Sequence, residues 1–236
     1  MYQRTSKDVE RMFTNIAPRY DLLNAILSLG LHYLWQRKLV SLIPSSSGRE
    51  KALDLCTGTG ALVPELANRF NEVFAVDLSE GMLLEARKRV IKGGKVNWIQ
   101  GDAQNLSFEA ETFDLVTIAY GARNFADLKV GLAEVARVLK PNGILLILEF
   151  GQPKNKIWRN TFAWYARHII PILGGVISGD SAAYTYLPET IASFPSGEAF
   201  AAILKSVGLE CDKIDSLCGG VGYIYRARFS AILTDK

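Results

Sequence analysis

The pattern of this chain predicts an α/β fold on a mostly parallel sheet, and three observations predict it. From Lys51 onward, short apolar runs alternate with segments of helical periodicity. Continuous apolar strands joined by helices are the mark of a parallel sheet covered on both faces. The first apolar run ends in a glycine turn, "LDLCTGTGA", and glycine lets a backbone turn tightly and a ligand approach closely. Near the end, "ECDKIDSL" and "GYIYRARFSAILT" alternate in polarity with only a Gly-rich turn between them, which predicts an antiparallel hairpin closing the sheet edge.

The elements follow in chain order. Residues 6–42 place Met12, Phe13, Ile16, Ala17, Tyr20, Leu23 and Leu27 at roughly helical spacing, interrupted at Pro18, and predict a helical lid over residues 1–45. "KALDL" reads as a buried strand and "ALVPELANRF" as a helix with Pro64 in its first turn. "EVFAV" is the second strand, and "SEGMLLEARKRVI" a helix with Ser79 as its N-cap. "KVNWI" and "FDLVTIA" are the third and fourth strands. "ADLKVGLAEVARVLK" is a helix closed by Pro141-Asn142-Gly143, before the fifth and fully apolar strand "ILLILEF". These elements make a ligand-binding core over residues 51–151. An insert over 152–195 is rich in aromatics and broken by Pro171, Gly174, Gly175 and Gly179. A last helix and the hairpin complete residues 196–236. Lid and insert are both expected over the carboxyl edge of the sheet, within one domain spanning 1–236.

Bulk properties narrow the function. The chain is 49% hydrophobic and 22% charged, as a packed globular core requires. Its net charge of +3 is too small to indicate a nucleic-acid binder. Cys56, Cys211 and Cys218 lack metal-type spacing and read as reduced thiols in a cytoplasmic protein. The polar start "MYQRTSKDVERMF" lacks the apolar core of a secretory signal. No run of 18 or more apolar residues offers a membrane span. His32 and His168 are too isolated to suggest a metal site, so no metal is expected.

Open parallel sheets bind ligands at the carboxyl ends of their strands. Gly58 and Gly60 follow the first strand. Asp77 ends the second, seventeen residues after Gly60, where a carboxylate can take both hydroxyls of a ribose. Asp102 follows the third, within reach of an adenine amino group. Each acid alone reads more simply as a cap or surface charge, but three successive strand ends suit one adenosyl ligand. A dinucleotide would need a third glycine where this chain has Val63 and Pro64. Asp54, on the strand before the glycines, would repel a pyrophosphate and suits a cationic amino acid end. S-adenosylmethionine is therefore favoured over NAD. At the fourth strand, "AYGARN" lacks the Asn/Asp-Pro-Pro-aromatic loop that enzymes methylating base nitrogens share.

"RYDLLNAILSLGLHYLW" and "RVLKPNGILLILEFG" resemble two signatures of the ubiquinone/menaquinone biosynthesis C-methyltransferase family. "LDLCTGTG", "FDLVTIAYGARNF" and "YTYLPETIASFP" fall where that family has similar segments, so the resemblance covers nearly the whole chain. It implies a class I, Rossmann-like methyltransferase fold and donor contacts at Thr59, Asp77, Asp102 and Ala103. It also implies methylation of a ring carbon on a polyprenylated quinol. Arg123 and Asn124 are then candidates for the quinol oxygens, with Tyr20 from the lid as a proton relay. Ala61 stands where the family has Asp. Leu23, Ala122, Asn142 and Gly151 also depart from its usual Met, Leu, Gly and Ser, and none of these removes a group assigned to chemistry. Plain structural readings stand beside these: Arg123 pairing with a helix carboxylate, and Tyr20 as a core aromatic. The insert reads either as ordinary core or as a peripheral membrane-surface element carrying Lys154, Lys156, Arg159, Arg167 and His168. Demethylmenaquinol is the expected substrate, with the short N-terminus leaning that way. The methoxy-polyprenyl-benzoquinol of ubiquinone synthesis is the near alternative. A nicotinamide oxidoreductase and a non-catalytic donor-binding protein are the more distant ones.

Overall fold

A computed structural model describes residues 6–43, 50–178 and 181–229. Its seven strands are β1 (Lys51–Leu55), β2 (Glu72–Asp77), β3 (Lys95–Gln100), β4 (Phe113–Ala119), β5 (Leu139–Phe150), β6 (Leu209–Leu217) and β7 (Gly222–Phe229). They form one sheet in the order β3-β2-β1-β4-β5-β7-β6. The first five are parallel. β7 runs antiparallel between β5 and β6, so the C-terminal hairpin closes one edge. Strand order reverses between β1 and β4, which is where doubly wound sheets open a crevice for ligands.

The helices are α1 (Ser6–Ile16), α2 (Tyr20–Leu27), α3 (Leu31–Ser41), α4 (Val63–Ala67), α5 (Glu80–Ala86), α6 (Leu128–Val138), α7 (Lys156–Ser178), α8 (Ser181–Ser193) and α9 (Glu198–Ser206). One face of the sheet buries Leu53, Val116, Ile118, Leu145 and Ile147 beneath Leu132 and Val135 of α6 and Phe200 and Leu204 of α9. The other buries Leu115, Leu146 and Leu148 beneath Leu39 of α3 and Leu66 of α4. A third cluster joins Met12, Ile16, Leu23 and Leu27 to Met82 of α5 and to Ala166 and Ile170 of α7. This cluster holds the N-terminal helices over the carboxyl ends of the strands. Ser79 caps α5 by accepting from the Met82 N–H at 3.2 Å, the cap expected from sequence.

Four local expectations are corrected. Pro141-Asn142-Gly143 does not close α6, which ends at Val138. The three residues lie inside β5, where the pairing with β4 shifts register between Phe113 and Leu115; a proline is tolerated at such an irregularity because no ladder donor is needed there. The insert is not broken at Pro171, Gly174 or Gly175, since α7 runs through all three. Packing of Ala166 and Ile170 against the lid overrides their helix-breaking tendency. The fifth strand is not fully apolar: it carries Glu149, with no exposed surface. The helices after the glycine turn and after Ser79 are also shorter than read, ending at Ala67 and Ala86. Residues 1–5 and 44–45 of the lid, 179–180 of the insert, including Gly179, and 230–236 of the final segment lie outside the described residues.

Candidate active site

The first pocket is built where β1 to β4 run out. After β1 the chain takes left-handed geometry at Cys56 (φ 56°), Gly58 (φ 56°) and Gly60 (φ 72°). Asp77, at the end of β2, accepts from Gly58 N at 2.8 Å and Ser79 N at 2.9 Å. Its carboxylate is thereby fixed between the glycine turn and the start of α5. Burial pushes its pKa up to about 6, against the pull of these amide donors. Asp102, beyond β3, accepts from Gln104 N at 2.9 Å. Gly58, Asp77, Asp102 and Ala103 line one pocket, together with Phe13 and Tyr20 from the lid and Tyr120 and Asn124 from beyond β4.

An adjoining polar cavity of about 220 Å³ holds Asp54, Gly58, Thr59 and Ala61. Asp54 is only 2% exposed. The hydroxyls of Thr57 and Thr117 each donate to it at 2.6 Å, and burial still raises its pKa to about 6. The Thr59 hydroxyl donates to Asp21 at 2.6 Å, and the Arg89 guanidinium donates to the other Asp21 oxygen at 2.6 Å. Arg89 also donates to the Thr59 carbonyl, so α2 of the lid is tied to the glycine turn. Gly60 lines neither cavity. A Cβ there would sit 3.0 Å from the Trp98 ring and 3.2 Å from Ala86, so its absence serves close packing within the fold. Around Gly58 the same construction meets only the Tyr20 ring, at 4.0 Å. That leaves room for a ligand over the turn, and the carboxylates along it fit an adenosyl donor.

On the far side of Tyr20 and Tyr120 lies an apolar cavity of about 340 Å³, walled by residues such as Ile16, Leu27, Trp35, Phe150 and Phe162. Tyr20 and Tyr120 line all three spaces. A short 3-10 turn, Ala122–Asn124, puts Arg123 on the apolar cavity and Asn124 on the pocket that holds Asp77 and Asp102. The Arg123 side chain is 6% exposed and lies 2.8 Å from Glu149. Its guanidinium also donates to the Tyr120 carbonyl. Glu149 further accepts from Phe150 N at 2.8 Å and Arg123 N at 3.2 Å. The partner of Arg123 is thus a strand carboxylate, where the plain structural reading expected a helix one.

Tyr20 is half-buried. Burial raises its phenol pKa, and the Arg123 charge offsets part of that rise. Tyr120 has positive φ (60°), an uncommon geometry for a bulky residue. Its hydroxyl is buried without a hydrogen-bond partner among the described residues. Ser28, His32 and Tyr120 line the apolar cavity and Glu149 pairs with Arg123, and none of the four is among the candidates the sequence singles out. The signal for Glu149 was a single charge in an apolar strand, and for His32 its place in the "SLGLHYLW" stretch.

Comparison with known proteins gives a consistent picture. The model of the ubiE/COQ5 methyltransferase family matches residues 1–228. The demethylmenaquinone methyltransferase of Bacteroides fragilis is 38% identical, covering 95% of this chain and 93% of its own. The ubiquinone/menaquinone biosynthesis C-methyltransferase UbiE of Geobacter sulfurreducens is also 38% identical, covering 95% and 90%. Among solved structures, a methyltransferase complexed with the Haloferax volcanii Trm112 activator superposes with a TM-score of 0.68 at 16% identity, covering 92% and 97%. A SAM-dependent methyltransferase from Aquifex aeolicus gives 0.59 at 19% identity, covering 82% and 89%. At these identities the structural matches speak for the fold alone.

Proposed function

The chain belongs to the ubiE/COQ5 methyltransferase family, and from that premise we propose that it methylates a ring carbon of demethylmenaquinol. It is an S-adenosylmethionine-dependent C-methyltransferase of quinone synthesis. What carries the substrate reading is one junction. Tyr20 and Tyr120 border a pocket that carries strand-end carboxylates on one side and an apolar cavity of about 340 Å³ on the other. A polyprenylated ring needs such a pairing: greasy walls for ring and tail, and polar groups where the ring meets the donor.

Bound S-adenosylmethionine supplies an electrophilic methyl on a sulfonium. Asp77 would take its ribose hydroxyls, Asp102 and Ala103 its adenine, and Asp54, Gly58 and Thr59 its amino acid end. The ring carbon becomes nucleophilic when a neighbouring hydroxyl ionises, which a phenol resists with a pKa of about 10. Arg123 favours that oxyanion through charge-assisted hydrogen bonds. Because Glu149 neutralises much of its charge, Arg123 acts through directed N–H groups already in place, with no reorganisation when the oxyanion forms. Asn124, on the donor side of the same turn, orients the ring against the methyl, and Tyr20 closes the site from the lid. The bond-forming step is then largely one of positioning.

The same reading includes a peripheral dock on the bilayer where the tail resides. Leu29 and Trp158 line the apolar cavity and are 83% and 41% exposed. Ile157 and Trp164 of α7 are exposed too, as are Lys154, Lys156, Arg159 and Arg167. Aromatic and aliphatic tips among basic residues suit a headgroup interface. No helix of the described residues is long and apolar enough to cross a membrane. Purified protein, offered demethylmenaquinol and methoxy-polyprenyl-benzoquinol separately in detergent, should methylate the first faster. Faster methylation of the second would move the assignment to the ubiquinone branch.

A further inference from the structure

The segment "SLGLHYLW" (Ser28 to Trp35) brings an imidazole to the apolar cavity with a serine hydroxyl against one of its nitrogens. Ser28 follows α2 and His32 lies in the first turn of α3. The Ser28 hydroxyl donates its one proton to the Asn24 carbonyl at 2.6 Å. It lies 2.7 Å from His32 Nδ1 and 3.3 Å from His32 N. A serine hydroxyl has one donor and two acceptor sites, and with its proton on the Asn24 carbonyl it accepts from His32 N and from Nδ1. In that arrangement the neutral imidazole carries its proton on Nδ1 and the lone pair on Nε2. Nε2 has no hydrogen-bond partner among the described residues, although the ring is 6% exposed and lines both the polar and the apolar cavity. A base whose second nitrogen is fixed by a neighbour is the arrangement general-base catalysis uses.

We propose that His32 is the base that takes the proton of the quinol hydroxyl, with Ser28 as the positioning residue that keeps the lone pair on Nε2. This rests on the quinol substrate proposed above. The hydroxyl O–H bond breaks and its proton goes to Nε2, leaving the oxyanion held by Arg123. The neighbouring ring carbon forms its bond to the methyl as the S–CH3 bond breaks, the electron pair remaining on sulfur. The new tetrahedral carbon then sheds its proton to solvent while the imidazolium returns its own to the ring oxygen. One proton is released for each methyl transferred, and the imidazole is regenerated.

The surroundings keep His32 neutral at pH 7. Burial lowers its pKa below 6.5, and Asp21 raises it in part. Asp54 and Arg89 share the polar cavity with it. Arg123 and Tyr165 share the apolar one, and Tyr20 and Tyr120 border both. The Tyr33 ring lies tilted at 40° to the imidazole, 3.8 Å away between centroids. The base is active when neutral, so the rate should fall as pH drops through a value below 6.5.

The test is single-turnover methylation of demethylmenaquinol at saturating donor, from pH 5 to 9, with donor affinity and melting temperature measured beside it. Wild type should show the low-pH inflection and a plateau above it. His32→Gln should bind donor normally, lose about a hundredfold in rate at pH 7, and show a rate still rising with pH toward the solution pKa of the quinol. Ser28→Ala should lose less, about tenfold, and imidazole in solution should restore part of the rate of His32→Ala. A wild-type profile without an inflection below pH 7 overturns the proposal whether or not the variants fold. So does a His32→Gln rate within threefold of wild type, or a pH-independent loss that imidazole does not relieve. If wild type methylates no demethylmenaquinol at all, the substrate reading falls and this inference falls with it. Robust wild-type methylation with an unaltered His32→Gln overturns the inference alone.

Discussion

Asp77 is the residue on which donor binding should depend most. Its two oxygens are held by Gly58 N and Ser79 N, which aims the carboxylate at the pocket without using all its lone pairs. Asp77→Ala should weaken binding of the donor or its demethylated product by roughly 1.5–3 kcal/mol, the worth of charged hydrogen bonds. Calorimetry checks this, and unchanged affinity would make Asp77 only a brace for the turn. Asp54 makes a prediction about pH. Its folded pKa of about 6 exceeds the unfolded value near 3.9, so the native state binds more protons between the two. Stability is therefore lowered as pH rises through about 6, and that cost vanishes below about 4. Asp54→Asn removes the buried charge. Its unfolding free energy relative to wild type should be higher at pH 7 than at pH 4, by about 2–3 kcal/mol. A pH-independent difference would contradict the assignment. The strand-end acids were legible in sequence because strand ends and glycine turns mark themselves. Glu149 was not legible, because a single charge in "ILLILEF" does not disturb the strand pattern around it. Only the fold reveals that Arg123, twenty-six residues earlier, is its partner.

At the scale of elements, the turn between β4 and α6 carries Arg123 and Asn124, and its tolerance is small. A Cβ on Gly121 would lie 2.9 Å from Cys56 Sγ and closer still to the Cys56 Cβ, so neither turn can yield easily. Gly121→Ala should destabilise by about 1–3 kcal/mol and lower methyl-transfer rate by displacing Arg123 and Asn124. Denaturant unfolding with a rate measurement checks both, and a wild-type midpoint would show that the turn has slack. Strand identity and order of elements were readable here because apolar runs of four to seven residues repeat with helical segments between them. The boundaries that failed were those marked by proline and glycine alone. At Pro141 the ladder needs no donor, and at Pro171 and Gly174 the burial of Ala166 and Ile170 against α2 holds the helix together. Local punctuation loses to tertiary packing in such places, and no window of sequence displays that packing.

At the scale of the whole molecule, the fold brings a lid from the N-terminus, a donor cradle from the sheet and an apolar wall from the insert onto one edge. The latch of Asp21, Thr59 and Arg89 ties the first of these to the second, so ligand binding should register as global stability. S-adenosylmethionine at 100 times its Kd should add about 2.7 kcal/mol to the unfolding free energy, read as a raised melting temperature. NAD should add nothing, and a clear shift with NAD alone would reverse the donor assignment. The central claim is that these parts converge to methylate a quinol carbon beside Arg123, and one measurement tests it most directly. Purified wild type and Arg123→Ala are mixed with isotopically methyl-labelled S-adenosylmethionine and demethylmenaquinol in detergent, and the quinol is followed by mass spectrometry over one turnover. Wild type should yield menaquinol carrying one labelled ring methyl. Arg123→Ala should bind donor normally and form the same product about a hundred- to a thousandfold more slowly. Arg123→Lys should recover little of that rate, because an ammonium cannot reproduce the planar fork. A wild-type enzyme that leaves the quinol unlabelled, or a stable Arg123→Ala that labels it at the wild-type rate, would contradict the account.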